Sequence, residues 1–592
     1  MPRFRLPLPA VTGSGRRRSA GHVGRALSPR GALALQRVDG ALSFALRAAL
    51  AMALPALPLA LAGRADLAVY AMLGSFTTTF GRNLPYARRA RVLAVVAVAM
   101  TACVGGGSAL AAWAGPRDGA ADAVVVVAMA AVAGIAKLAC DAARLSGLGA
   151  VLLLFSFAVA ANGSPTQGDI LPQTALAASG VAVAWALAVS GWFVHPDRPR
   201  RLAVATALRE LADLLDAVAA GDGSGLVRHR ATAAVLEAYR TLGLMPPTAA
   251  ERGGRGDTCV RLTDLAWSLL IGSARRPPED PTGLARHVRR QVRLLVSRRR
   301  GAPRVLPELA LPAEVARTGT VSVAGPQPSP DGPTTRRGTE LRAAELLTGR
   351  LHGRPDRVPV LLVPALRMVF GTGLAGGTAL LLGLGHGYWA AISAAAVLHS
   401  INVRTAAQRA VQRTLGTVAG LMLALGVLAV RPDPVVLVLV IILLEFLLEY
   451  VVARNYGLGV VFLTPLALLL TDLAAPSPAG ALVQDRALSS VLGIVVALGC
   501  ALVVVHDHAA LRAERALAAC TEVSGRAERV LVTRTESSFP RVQAQLAEAV
   551  VELRDADDAA AGELWPAEID PAELAAAEQR AYQLLERLVR WR

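Results

Sequence analysis

VLVLVIILLEFLLEYVVARNYG, residues 436–457, is the stretch on which the fold class turns. Its apolar run, taken as 434–453, has the roughly 20 residues that a helix needs to cross a bilayer core of about 30 Å. Two carboxylates interrupt it. Glu445 and Glu449 lie four residues apart and so share one helical face. Ionisable groups inside a membrane span are rare and mark candidate functional positions.

Working outward, comparable runs gather in two blocks. The first divides into spans at 41–62, 66–81, 91–113, 121–140, 145–161 and 173–194. The second divides at 358–383, 387–402, 410–430, 434–453, 455–472 and 486–505. The composition agrees: residues of the AVILMFWYC set make up 54% of the 592, before 54 glycines are added. Soluble domains reach about 45–50% with glycine included, which excludes an ordinary soluble protein or a disordered chain. Basic residues outnumber acidic ones 62 to 44, a net charge of +18, as basic cytoplasmic segments of a membrane protein would give. The fold class expected is therefore all-α and polytopic, with about twelve transmembrane helices.

Arginine bias in short loops sets the expected orientation. The tail 1–40 holds eight arginines and one acid, and alternate loops keep Arg82, Arg88, Arg89, Arg91, Arg144, Arg404, Arg409, Arg413 and Arg454 on its side. Both termini are thus expected in the cytoplasm of a cell whose plasma or inner membrane the chain spans. Residues 196–300 form a basic cytosolic helical region, with helical periodicity at 202–220, 226–243 and 258–272. A Pro/Gly-rich linker with a short helix follows at 301–355, and 506–592 reads as a cytosolic helical tail. The insert is basic and the tail acidic, which suits docking of one on the other, although solvated faces would explain both charges.

The two membrane blocks, 41–195 and 356–505, repeat one another. Ala45-Leu46-Arg47 answers Ala365-Leu366-Arg367, and Arg89 and Arg409 each follow 42 residues later. Arg144 with Gly147-Leu148-Gly149 answers Arg454 with Gly457-Leu458-Gly459 at an offset of 310. Two copies with an even number of spans enter the membrane alike, so the repeat is parallel, with its pathway expected at the interface of the copies.

Several residue types then stand out. Arg47 and Arg367, at matching places, are expected to face that interface as fixed cations for an organic anion; the plainer reading has them snorkel to headgroups. Glu445 and Glu449 are candidate proton-coupling groups, the plainer reading being that Glu449 pairs with Arg454 or with an arginine of a neighbouring helix; the first copy carries Lys137 and Asp141, an i,i+4 pair. His386, Tyr388 and Trp389 suit stacking on an aromatic solute or a place in the interfacial belt. Arg286–Arg300, with seven arginines in fifteen residues, suits contact with anionic lipid headgroups. The five cysteines are widely spaced, so neither a metal site nor a disulfide framework is expected, and no cofactor. The single lysine, Lys137, lies outside any Gly-Lys-Ser/Thr motif, which excludes a Walker A cassette. No grouping for hydrolysis or phosphoryl transfer stands out, so an enzyme is not expected, nor a nucleic-acid partner.

HGYWAAISAAAVLHS, RAVQRTLGTVAG, ARNYGLGVVFLTPLALLL and DRALSSVLGIVVAL resemble the membrane domain of the fusaric acid resistance and aromatic acid exporter (FUSC-like) family. The resemblance rests on Tyr388-Trp389-Ala390, Arg409, Arg413, Gly416-Thr417, Gly420, Arg454-Asn455-Tyr456, Thr464-Pro465 and Asp485-Arg486, and is looser in the first block. It implies two membrane halves around a cytosolic region and efflux of aromatic carboxylic acids. The family is distantly similar to plant aluminium-activated malate transporters, in which helix arginines line an anion pore. The substrate-binding set expected is Arg47, Arg367, Tyr388, Trp389, Arg409 and Arg413, with Lys137, Asp141, Arg144 and Arg454 as structural charges. The reading is thus an exporter of small organic anions driven by the proton gradient or the membrane potential. Its alternatives are a passive anion channel and a membrane scaffold without transport, and homo-oligomerisation is left open.

Overall fold

The computed structural model describes residues 40–309 and 358–590, except 83, 116–118, 144, 146–148, 164, 222–224, 247–256, 274–277, 298–303, 401–402, 477, 505–507, 534–538 and 561–569. Nearly all of the tail 1–40 and of the linker 301–355 lies outside the described residues. Every regular element described is helical.

The first block folds into α1 (Ala41–Leu61), α2 (Ala65–Ser75), α3 (Tyr86–Ala114), α4 (Gly119–Ala142), α5 (Gly149–Ala161) and α6 (Ile170–Val194). The second gives α11 (Val358–Leu381), α12 (Tyr388–Leu398), α13 (Val403–Val430), α14 (Pro434–Val451), α15 (Tyr456–Ala474) and α16 (Ala479–Val504). Among the described residues, eight helices are long and apolar enough to cross a membrane, whereas α5 and α12 are apolar but shorter. The protein is therefore a polytopic helical membrane protein.

Spans expected at 66–81 and 387–402 are each interrupted. α2 and α12 have 11 residues, about 16 Å of helix at 1.5 Å per residue, and cannot cross the core alone. Every residue of α12 is buried, so its backbone ends inside protein, where a broken helix is tolerated in a membrane.

Helices pack by the same plan in both halves. α1 touches α2 and α6, α3 touches α5 and α6, and α4 touches α5; α11 touches α12 and α16, α13 touches α15 and α16, and α14 touches α15. Small residues permit the closest approaches. A Cβ on Gly74 of α2 would fall 2.1 Å from Ala177 O of α6, and one on Gly180 would fall 2.0 Å from Ala71 O. In the second half Gly493 of α16 has the same relation to Ala390 O of α12, at 2.3 Å. The halves meet along two seams, α1 against α14 and α11 against α4, with α2 on α15 and α12 on α5 beside them.

The remaining helices make a second core. The insert contributes α7 (Arg198–Ala219), α8 (Gly225–Leu242), α9 (Thr258–Gly272) and α10 (Pro281–Val296), and the tail contributes α17 (His508–Thr533), α18 (Phe539–Ala560) and α19 (Pro571–Arg590). Asp257 and Asp280 cap α9 and α10 through the amides of Cys259 and Gly283, both at 2.7 Å. Insert and tail share apolar residues, and Arg240–Glu548 and His229–Asp555 join them at 3.1 and 3.0 Å. Because α6 leads into α7 and α16 into α17, both membrane halves end on the side of this module.

Candidate functional site

Two clusters of buried charge occupy the membrane part. The first lies on the seam of α1 and α14, where an apolar helix would need no polar group. Glu449, 2% exposed, accepts from Arg82 Nη2 at 2.7 Å and from the Thr79 hydroxyl at 2.8 Å. Thr79 and Arg82 come from the connection after α2, so a carboxylate of the second half is held by the first. Arg82 also lies 3.8 Å over the Phe44 ring of α1. Glu445, one turn away and 1% exposed, has Oε2 without a hydrogen-bond partner among the described residues. The two glutamates thus differ: Glu449 is fixed by a cation and a hydroxyl, and Glu445 is not fixed by either.

The second cluster lies inside the second half, where α12, α13, α15 and α16 converge. Arg413, 1% exposed, donates from Nη2 to Ser393 Oγ at 3.2 Å and from Nη1 to the Tyr456 hydroxyl at 3.4 Å. Arg486, 2% exposed, stacks 3.8 Å from the centroid of Trp389, and Arg413 lies within electrostatic range of it. Nε and Nη1 of Arg486 and Nε of Arg413 have no hydrogen-bond partner among the described residues. Tyr388 lies 4.8 Å from Trp389, ring to ring, and Trp389 reaches Phe155 of the first half at 6.0 Å. Two buried cations and a set of aromatic faces therefore share one place. Such cations are costly in a low-dielectric interior unless an anion or a good acceptor meets them.

The other expected residues are placed differently. Arg47 lies on α1, at the seam with α14, and Arg367 on α11, at the other seam, with α4. Arg47 has Tyr86, Arg89 and Arg198 as its electrostatic neighbours. Arg367 is buried and donates from Nη2 to the carbonyls of Leu398 and Ser400, at 2.9 and 2.7 Å. Those carbonyls belong to the end of α12, where a broken helix leaves acceptors without amide partners, so Arg367 is engaged in holding that end. Arg409 lies 5.6 Å from the Tyr456 ring, at the margin of the second cluster. His386 is paired with Asp485 at 2.9 Å rather than open to a solute, and Tyr388 and Trp389 are interior residues, not belt residues. Lys137 and Asp141 form their pair at 2.8 Å on α4, and Arg454 stacks 4.0 Å over Tyr450 instead of reaching Glu449. Arg144 lies outside the described residues. In the insert, Arg289 pairs with Asp213 and Asp216 and Arg290 with Glu308, with all five side chains partly exposed.

Sequence reasoning alone overlooks Arg82, Thr79 and Arg486 as site residues. Arg486 carries a signal, being a cation at the start of an apolar run. Thr79 and Arg82 carry none, because their role depends on a carboxylate about 370 residues away.

Residues 374–500 match the family described as fusaric acid resistance protein-like. The chain is also similar to the "uncharacterized membrane protein YvaC" of Bacillus subtilis (strain 168). The two are 25% identical over 569 residues, covering 90% of this chain and 83% of that protein. No solved structure matches it.

Proposed function

We propose that this protein, whose second membrane half resembles the fusaric acid resistance proteins, exports small organic anions, with aromatic carboxylates as the favoured class. The observation that carries this reading is the adjacency of Arg413 and Arg486, buried, with unpartnered N–H groups, beside the faces of Trp389, Tyr388 and Tyr456. A carboxylate would neutralise the guanidinium groups and an aromatic ring would stack beside it. The reading centres the binding set on Arg413 and Arg486 rather than on Arg47 and Arg367, because Arg367 already donates to the carbonyls of Leu398 and Ser400.

In this reading the twelve helices are two parallel copies, supported by the matched helix contacts and by the common side on which both halves end. The helical module is cytoplasmic, in keeping with the arginine-rich loops beside it. A negative interior favours exit of an anion by about 2.3 kcal/mol per charge per 100 mV. Glu445 is the proton carrier in the coupled form of the mechanism; Glu449 is the structural partner of Arg82.

Purified protein in liposomes, loaded with labelled benzoate, tests the site. Arg486→Ala and Arg413→Ala should each lower efflux at least about tenfold, the loss of one charge-assisted contact of about 1.5–3 kcal/mol. Parental efflux in both variants would overturn the site. Glu445→Gln should abolish acceleration by an imposed pH gradient while leaving benzoate binding intact; unchanged flux and pH dependence would favour the passive channel.

A further inference from the structure

Outside the charged clusters, the surface between α3 and α6 is indented by an apolar groove of about 650 Å³. Ala94, Val98, Thr101 and Gly105 form its α3 wall at helical spacing, and Ala178, Ala182 and Trp185 face them from α6. The indole N–H of Trp185 donates to Ala90 O at 3.0 Å, so the ring offers the groove only its apolar face. In the second half the corresponding face, between α13 and α16, carries Leu415, Val418, Met422, Val491 and Val495, all exposed bulky side chains. An indentation of this kind is thus not a general feature of the lipid-facing surface.

Length and charge identify the occupant. From Ala94 to Gly106 the groove runs about 18 Å at 1.5 Å per residue, close to the roughly 15 Å of one leaflet's hydrocarbon. A helix of a second copy would follow α3 across both leaflets. Arg91 continues the stripe one turn beyond Ala94, and Arg88 lies one turn farther; both are exposed and neither forms an ion pair among the described residues. The cations stand where the headgroup of a lipid lying in the groove would lie, and basic residues at that depth attract anionic headgroups.

We propose that the groove between α3 and α6 is a binding site for one anionic phospholipid, with an acyl chain along the small-residue wall and the phosphate on Arg91 and Arg88. The site is separate from Arg413 and Arg486 and stands whether or not the solute is an aromatic acid.

Gly106→Leu fills the groove at little structural cost, since a Cβ there meets only Phe157 Cε2, at 4.0 Å, and leucine is the better helix former. Arg91→Ala removes the charge on an exposed side chain that makes only a long bond, 3.4 Å, to Ala87 O. The delipidated full chain in detergent would be titrated with phosphatidylglycerol and with phosphatidylcholine and read by native mass spectrometry. The parent should retain one phosphatidylglycerol in preference to phosphatidylcholine. Arg91→Ala should weaken that retention about fivefold, the effect of one basic residue near a membrane surface, and Gly106→Leu should remove it. Met422→Ala, on the other half, should leave it unchanged. Equal retention of both lipids by the parent, or undiminished retention in folded Gly106→Leu, would overturn the proposal. A dimer that Gly106→Leu dissociates would overturn it in favour of a second copy in the groove.

Discussion

Glu449 shows how one residue ties the two membrane halves together. Its carboxylate is desolvated, and Arg82 and Thr79 compensate it from the other half. Breaking a buried pair from one side leaves a charge without its counterpart and costs about 3–5 kcal/mol, whereas replacing both partners with apolar side chains is often neutral. Glu449→Ala should therefore lower the thermal midpoint of the detergent-solubilised protein, and Arg82→Met with Glu449→Leu should recover most of the loss. If the double variant is no better than the single one, the pair is not what stabilises the seam. In the module shared by insert and tail, Glu578 of α19 is pushed above the ordinary glutamate range by burial, against the pull of Arg554. A raised carboxyl value makes the folded state bind its proton more tightly, so the stability it contributes is complete below pH 4.5 and is lost as pH rises through the folded value. Glu578→Gln should flatten that loss, which amide hydrogen exchange of α19 measured across pH would reveal.

At the scale of elements, two of the short helices, α2 and α12, are the distinctive parts. α2 and α12 are too short to span, and each is held by a glycine-mediated crossing with a long helix, α6 or α16. The crossing of α2 and α6 is reciprocal, with Gly74 and Gly180 each facing a carbonyl of the other helix. A methyl group at either place has no room, and overpacking of this sort costs about 1–3 kcal/mol. Gly180→Ala should lower the thermal midpoint, while Gly377→Ala, where a Cβ meets nothing within 4 Å, should not. Equal midpoints would show that the helices separate readily and that the close approach is incidental. The end of α12 adds a second requirement, since its carbonyls depend on Arg367.

For the whole molecule the central question is whether the seams move. A Cβ on Gly134 of α4 would lie 3.7 Å from Val369 Cβ of α11, within the usual range for a disulfide of about 3.5–4.5 Å. Gly134→Cys with Val369→Cys should therefore oxidise to a bridge across the seam. Alternating access requires one half to rock against the other, so oxidation should stop benzoate efflux and reduction should restore it. Flux that survives complete cross-linking would count against rocking and in favour of a fixed pore.

Hydropathy by itself determined that this chain lives in a membrane, because the length of an apolar run is a local property that the bilayer reads directly. Helices of the insert show in the sequence through a different local property, the 3.6-residue periodicity of their apolar positions. Glu445 was legible too, since a carboxylate inside a run such as 434–453 is conspicuous wherever the helix packs. The charged cluster of the second half was legible in part: Tyr388, Trp389 and Arg413 are conspicuous in the sequence and lie together, whereas Arg486 joins them only through α16. Arg47 and Arg367 were conspicuous too, yet their spacing along the chain held no information about what they face. Only the tertiary structure decided that Arg367 serves the broken end of α12, that Arg82 rather than Arg454 answers Glu449, and that insert and tail share one core. The physical reason is that a buried charge is satisfied by whichever group packing brings within about 3 Å, and packing joins residues hundreds of positions apart.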